Sequence, residues 1–153
     1  MSIMTTDQKG AIAEAAIVFE AAKRGIGVLK PVTDGLRYDL VFDLPCGLRR
    51  VQCKWAARRG EVVVVPLQSC RRSRDGYLRR PYTADETDVV AAYCGALGRC
   101  FWLPLDEVGA RPALSLRLAP ARNNQCRKIT WAADFDLGAR LASLGAVAQL
   151  GEH

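Results

Sequence analysis

The sequence predicts a mixed α/β layer fold, a β-sheet flanked by helices, on three observations. An alanine-rich stretch with helical periodicity opens the chain at residues 6–24. Four strand-like segments follow one another between residues 26 and 67. A polar, arginine-rich interval then separates them from a second run of helix and strand patterns that ends near residue 144.

In the first stretch, TDQKGAIAEAAIVFEAAKR, Thr6 or Asp7 is placed to cap a helix and Gly25 to stop it. At helical spacing Lys9, Glu20, Lys23 and Arg24 form a solvated stripe, and Ala11, Ala15, Val18, Phe19 and Ala22 the expected packing face. Residues 26–31 (IGVLKP) and 37–43 (RYDLVFD) read as strands, LPCG as a turn, and 48–56 (LRRVQCKWA) as a third strand. The unbroken valines of 61–67 (EVVVVPL) suggest a fourth strand buried on both faces, central or parallel. Residues 68–82 read as a loop or irregular hairpin. Thr83-Ala84-Asp85-Glu86 has a capping-box pattern, which predicts a helix through about Cys94. Strands are expected at 99–104 and 113–119, a polar connection at 120–130, a last helix between Phe135 and Leu144, and a frayed tail beyond Ala146. There is no internal repeat and no linker, so residues 1–153 are read as one domain.

Composition narrows the function classes. Half of the residues are hydrophobic and a quarter charged, enough for a core without disulfide staples. Twenty-two Lys and Arg against sixteen Asp and Glu give +6, an excess that hints at a polyanionic partner. The six cysteines form no CxxC pair and the one histidine is the last residue, which argues against a structural zinc site. The N-terminus MSIMTTDQKG has no signal-peptide pattern, and no uncharged apolar run approaches the ~18–20 residues of a membrane span. The expected location is cytoplasmic, with reduced cysteines serving as small, partly buried fillers.

The chemistry concentrates in residues 37–56. A turn centred between Pro45 and Cys46 sets Asp39 directly opposite Gln52, and alternation puts Lys54 on the same face. Leu40, Phe42, Val51, Cys53 and Trp55 fall on the other. A slip of one residue would bury the polar set, so the pattern fixes the register. Glu14 is the second anomaly, a carboxylate among Ala, Ile and Val on the flank of the first helix, which needs a salt-bridge partner or a metal. Asp, Glu and Gln oxygens suit Mg²⁺. Such an ion activates water and neutralises a phosphodiester, while Lys54 could stabilise the transition state or help deprotonate the water.

Glu14 on the first helix, Asp39 on a strand and Gln52-Cys53-Lys54 on the next resemble the PD-(D/E)XK nucleases. More narrowly, AIAEAAI, GVLKPVTDGLRYDLVF, RRVQCKW, RRSRDGYLRRPYTADETDVVAAYC and LAPARNNQ resemble group I intron-associated homing endonucleases of that superfamily, which are related to archaeal Holliday junction resolvases. The resemblance implies a restriction-endonuclease-like core of order α-β-β-β-α-β, here with an extra strand-containing C-terminal part. It also implies Glu14, Asp39 and Gln52 as Mg²⁺ ligands (Mn²⁺ a possible substitute), Lys54 as catalytic partner, and a homo-oligomer, dimer or tetramer. Tyr38 stands where the motif has Pro, and Gln52 where it usually has an acid, both features that the intron-associated group tolerates. With two carboxylates rather than three, one metal should be held better than a second. The implied activity is sequence-specific double-strand cleavage. A junction resolvase and a non-catalytic DNA-binding module are the alternatives.

The DNA surface is expected in RRSRDGYLRR, through Arg71, Arg72, Arg74, Arg79 and Arg80, with Arg49 and Arg50 beside the site. Arg122, Asn123 and Asn124 form a second candidate set. Trp55 and Trp102 are read as core.

Overall fold

The computed structural model describes residues 3–120 and 128–151. Helix α1 (Thr6–Lys23) is followed by strands β1 (Gly27–Leu29), β2 (Leu40–Leu44), β3 (Gly47–Arg59), β4 (Val62–Pro66), β5 (Gln68–Ser73), β6 (Gly76–Pro81), β7 (Val89–Cys94) and β8 (Arg99–Pro104). A short helix α2 (Leu105–Val108), strand β9 (Ala113–Arg117), a 3-10 turn at Ala132–Phe135 and helix α3 (Leu137–Gly151) complete the described chain. No helix among the described residues is long and apolar enough to cross a membrane.

Seven strands form one sheet. The path β1-β2-β3-β4-β9 is antiparallel, and β3 also takes β7 as a parallel neighbour, with β8 antiparallel beyond it. The thirteen-residue β3 is the axis: it pairs with β2 near its start, with β7 along Val51–Ala56 and with β4 at its end. Strands β5 and β6 stand apart as a two-stranded ribbon.

The β2–β3 hairpin has the expected register, with Leu40 opposite Val51 and Leu44 opposite Gly47 around a Pro45-Cys46 loop. Gly47 follows that loop at φ 125, a conformation open to glycine and costly for other residues. The apolar face of the hairpin, Leu40, Phe42 and Val51, is buried under α1 and α3, where the Phe42 and Trp102 rings stack at 5.5 Å. The other face of the sheet carries a second cluster around Val63, Val65, Val90, Phe101, Leu103 and Leu116.

Several expectations need correction. The α1 cap is Thr5, in a reciprocal capping box with Gln8, and not Thr6 or Asp7. The helix packs through Ala13, Ile17 and Ala21, while Ala11, Ala15 and Ala22 face solvent and Phe19 is 62% exposed. So many alanines make the helix apolar around most of its girth, and angle alone does not discriminate a face. Strand β4 is antiparallel, with Val63 and Val65 buried but Val62 and Val64 only half-buried.

The helix expected from Thr83 to Cys94 is absent. Its capping-box residues close a turn instead, Thr83 Oγ1 donating to Glu86 Oε1 at 3.0 Å, and Val89–Cys94 enters the sheet beside β3. The Val-Val-Ala-Ala run suits a strand covered on both faces: Val89 and Ala91 fall in one core, Val90 and Ala92 in the other. The connection between the parallel strands β3 and β7 therefore runs through β4 and the ribbon, not through a helix. α3 continues to Gly151, past the point where fraying was expected. Cys46 and Cys70 are exposed, unlike the buried Cys94 and Cys100.

The packing of α1 can be checked directly. Ile17→Ala should cost about 2–5 kcal/mol in chemical denaturation, and Phe19→Ala no more than about 0.5 kcal/mol. The reverse ranking would reinstate the face expected from the sequence.

Candidate active site

Strand β2 leaves β3 at the Leu40–Val51 pair. One more backbone bond, Asp39 N–H to the Val51 carbonyl at 2.9 Å, closes the ladder. The next inward N–H of β3, that of Cys53, then has no β2 strand partner. The Asp39 carboxylate takes its place: Oδ2 accepts from the Cys53 N–H at 2.9 Å and from Gln52 Nε2 at 2.9 Å. The backbone thus fixes one oxygen of Asp39. Its Oδ1 accepts no hydrogen bond among the described residues.

Glu14 projects from the flank of α1 beside the packing residues Ala13 and Ile17, with its side chain 32% exposed. It lines, with Asp39, Lys30, Asp34 and Tyr38, a cavity of about 250 Å³ walled by residues 30–39 and the helix. Lys30 Nζ lies 3.2 Å from Glu14 Oε2. Sequence reasoning missed Lys30, since a lone Lys at the end of a short strand carries no local signature. Gln52 reaches the cavity through Asp39, and its Nε2 also donates to the Cys53 carbonyl at 3.3 Å. Lys54 lies close enough to lower the Asp39 pKa, but its Nζ sits 5.1 Å over the Tyr82 ring. Three carboxylates, Glu14, Asp34 and Asp39, therefore line the cavity with the Lys30 ammonium, and β3 brings the Gln52 amide and the Lys54 ammonium beside Asp39.

The PD-(D/E)XK endonuclease family matches residues 4–138. The chain belongs to this family. Among solved structures it is similar to the bacterial homing endonuclease I-Ssp6803I, at 28% identity and a TM-score of 0.69, with 95% of this chain and 98% of that one covered. No curated protein matches. The restriction-endonuclease-like α/β fold is thereby shown, and with it a nuclease of the PD-(D/E)XK type acting on DNA.

The electrostatics of this cavity favour a cation. Burial pushes the Asp39 carboxyl above its ordinary range; the Cys53 N–H opposes this, and the Glu14 charge adds to it. Burial likewise raises the Cys53 thiol far above its ordinary value, so it stays a neutral S–H. The donors that remain are hard oxygens, suited to a divalent ion such as Mg²⁺ and poorly suited to a soft one. Among the described residues no three Asp, Glu, His or Cys side chains cluster as a metal site. A metal here would rely on Glu14, Asp39, the Gln52 carbonyl oxygen and water.

The proposed DNA-contacting arginines divide into free and engaged. Arg71, Arg72, Arg74 and Arg79 are all exposed on or beside the ribbon, with no hydrogen bond or ion pair to a described residue. Arg80 pairs with Glu86. Arg49 donates only to the neighbouring Leu48 carbonyl. Arg50 spends its fork on Asp88 and on the Ala84 and Asp85 carbonyls. Burial opposes ionisation of Asp88, yet the Arg50 hydrogen bonds hold its carboxyl below the ordinary range. Arg122, Asn123 and Asn124 lie outside the described residues. Trp102 is core; Trp55 is half-buried, edge-on to Tyr93 at 5.7 Å and beneath Lys9.

The raised Asp39 pKa has a sign. The folded chain holds this proton more tightly than the unfolded chain, so stability contributed by Asp39 falls as pH rises from 3.8 through the raised value. Asp39→Asn removes that slope. In EDTA at neutral pH the variant should match or exceed the wild type in Tm, with the advantage gone below the ordinary aspartate range. Added Mg²⁺ should raise the Tm of the wild type alone. Identical pH profiles would mean that Asp39 is not strained by burial.

Proposed function

We propose that the protein is a Mg²⁺-dependent endonuclease that cuts both strands of duplex DNA at a specific sequence, in the manner of a homing enzyme and as a homo-oligomer. Mn²⁺ should substitute for Mg²⁺ because both accept oxygen ligands. The observation that carries the reading is the fixing of Asp39 by the Cys53 N–H and Gln52, opposite Glu14 in one polar cavity. Family membership supports hydrolysis of DNA, and the likeness to I-Ssp6803I supports the homing role. A gene borne on a group I intron is the setting that role implies. Oligomerisation follows from economy: one short chain covers little duplex, and two strands need two sites.

Glu14 and Asp39 would hold the ion, Gln52 steadying Asp39 through its amide while keeping its carbonyl oxygen available. The ion supplies Lewis acidity to a water and offsets the phosphodiester charge. A water oxygen would add to phosphorus while its proton passes to solvent, one ester P–O bond would break, and the departing oxygen would take up a proton from solvent and leave with the strand end. Lys54 presents a compact positive charge on the strand next to Asp39, where the phosphoryl oxygens gain charge. Tyr82 holds that ammonium at the edge of the cavity rather than inside it, which leaves the cavity open to the ion and phosphate.

Cleavage and binding should separate. Lys54→Ala and Asp39→Ala should each lower cleavage of target duplex by at least about a hundredfold, while gel-shift affinity in EDTA changes little. A wild-type protein that cuts nothing with Mg²⁺ or Mn²⁺ would leave only a DNA-binding module. Cutting confined to four-way junctions would replace the homing role with a structure-selective one.

Salt dependence tests the ribbon. Replacing Arg71 and Arg74 together should flatten the slope of log K against log salt by about 1–2. An unchanged slope would remove the ribbon from the interface.

A further inference from the structure

The ribbon has two unlike faces. In its register Ser69 pairs with Arg80 and Arg71 with Leu78, while Cys70 pairs with Arg79 and Arg72 with Tyr77. Directly paired residues share a face. The face of Ser69 and Arg80 turns toward the body of the protein. There Arg37 Nη1 donates to Ser69 Oγ at 2.7 Å, and Nη2 to the Arg80 and Pro81 carbonyls at 3.1 and 2.9 Å. The Arg37 guanidinium lies 4.3 Å over the Tyr82 ring, and its Nε is 3.3 Å from Glu86, which also takes Arg80. That contact is confined to the root, since Arg71 and Leu78 further out on the same face are exposed; the opposite face, with Cys70, Arg72, Tyr77 and Arg79, is exposed along its length, and its side chains make no hydrogen bond to a described residue.

An isolated two-stranded hairpin is marginal in water. This one is clamped at its root by one arginine, which belongs to the loop that also carries Asp39. A ribbon held this way presents its outer side chains in a fixed frame relative to the cavity. Loose arginines would suffice for phosphate binding alone; a clamped frame suits the reading of base edges.

We infer that the outer face of the β5–β6 ribbon enters the major groove of duplex DNA, with Arg72 and Arg79 as the base-reading residues and Arg37 as their positioning residue. The inference rests on the proposed DNA endonuclease and deepens it. The major groove, about 12 Å wide, admits a two-stranded ribbon in undistorted duplex, whereas the minor groove, about 6 Å wide, admits one only when the duplex is bent and the groove opened. Six-residue strands span about 20 Å, enough for several base pairs. Arg72 and Arg79 are diagonal neighbours on one face, about 7–8 Å apart along the backbone and somewhat less at Cβ. Base pairs stack at about 3.4 Å, so the two side chains fall over pairs roughly two steps apart. Each has a free fork for guanine O6 and N7.

The native Cys70 thiol, on this face and opposite Arg79, reports the groove directly. Mixed-sequence duplexes carrying a disulfide-activated thiol tether on cytosine N4 (major groove) or guanine N2 (minor groove) are incubated with the full chain in EDTA. The N4 tether should cross-link, Cys70→Ser should abolish that product, and Cys46→Ser should keep it. In selection from a randomised duplex library, the Arg72→Ala/Arg79→Ala pair should lose about tenfold or more of base preference at two positions. Arg37→Met should speed amide exchange of β5 and β6 while β3 and β7 stay protected, and should blur the same two positions. Bound duplex that cross-links only from the minor groove, or not at all, overturns the groove assignment. Unchanged base preference in the double variant overturns the reading role. A folded protein that retains no duplex at low salt defeats the endonuclease proposal itself, a separate outcome.

Discussion

The site hangs on the bond between the Asp39 carboxylate and the Cys53 backbone N–H, at the point where two strands part. A ladder that ends leaves its next inward amide unpaired, and a half-buried unpaired donor is costly. Filling that vacancy with a carboxylate satisfies the amide and fixes a charge at the sheet edge in a single step. The position of Asp39 is then set by backbone geometry, not by a flexible side-chain network. Gln52 adds a second donor to the same oxygen and leaves the other oxygen outward. The β3 strand that supplies Cys53 N–H also supplies Lys54, so anchor and cation cannot shift independently.

This arrangement raises an electrostatic problem that the surrounding residues moderate. Burial and the Glu14 charge both push the Asp39 carboxyl toward protonation. Lys30 against Glu14, and Lys54 nearby, offset part of that load. Lys30 is largely exposed, and such a pair is worth little in water, so it is a counter-ion readily given up to a stronger cation. With Gln52 in place of an acid, β3 adds no negative charge to the Glu14, Asp34 and Asp39 carboxylates that line the cavity. The same substitution supplies the amide hydrogen that holds Asp39, something an ionised acid could not do.

How much of this was legible depends on how far each feature reaches along the chain. The β2–β3 register was readable because Leu40, Phe42, Val51 and Cys53 alternate about a two-residue turn, and only one pairing buries them all. That register brought Asp39 to Gln52. The burying face of α1 was not readable, because alanine is indifferent to which side faces the core. β7 was misread because Thr83 and Glu86 satisfy the same local bonds in a turn as in a helix start; the parallel partner that makes Val89–Cys94 a strand lies some forty residues upstream. Lys30 and Arg37 were invisible for a related reason. Each matters through residues distant in sequence, Arg37 through Ser69, Arg80 and Glu86.

Tyr82 joins the two halves of the argument. Its ring takes the Arg37 guanidinium at 4.3 Å and the Lys54 ammonium at 5.1 Å. Arg37 clamps the basic ribbon and Lys54 lies near Asp39, so one aromatic side chain touches a cation from each region. The charges of the two regions are opposite. On the proposed reading, duplex DNA would be drawn to the arginines, yet its phosphate would be repelled by Glu14 and Asp39 unless a cation lay between them. The phosphate and the cation would thus each remove the obstacle to the other's binding, one by contributing negative charge to the ion's surroundings, the other by masking the carboxylates. An acidic pocket and a basic ribbon in one chain would in that case couple metal to substrate through Coulomb's law alone, with no conformational change required.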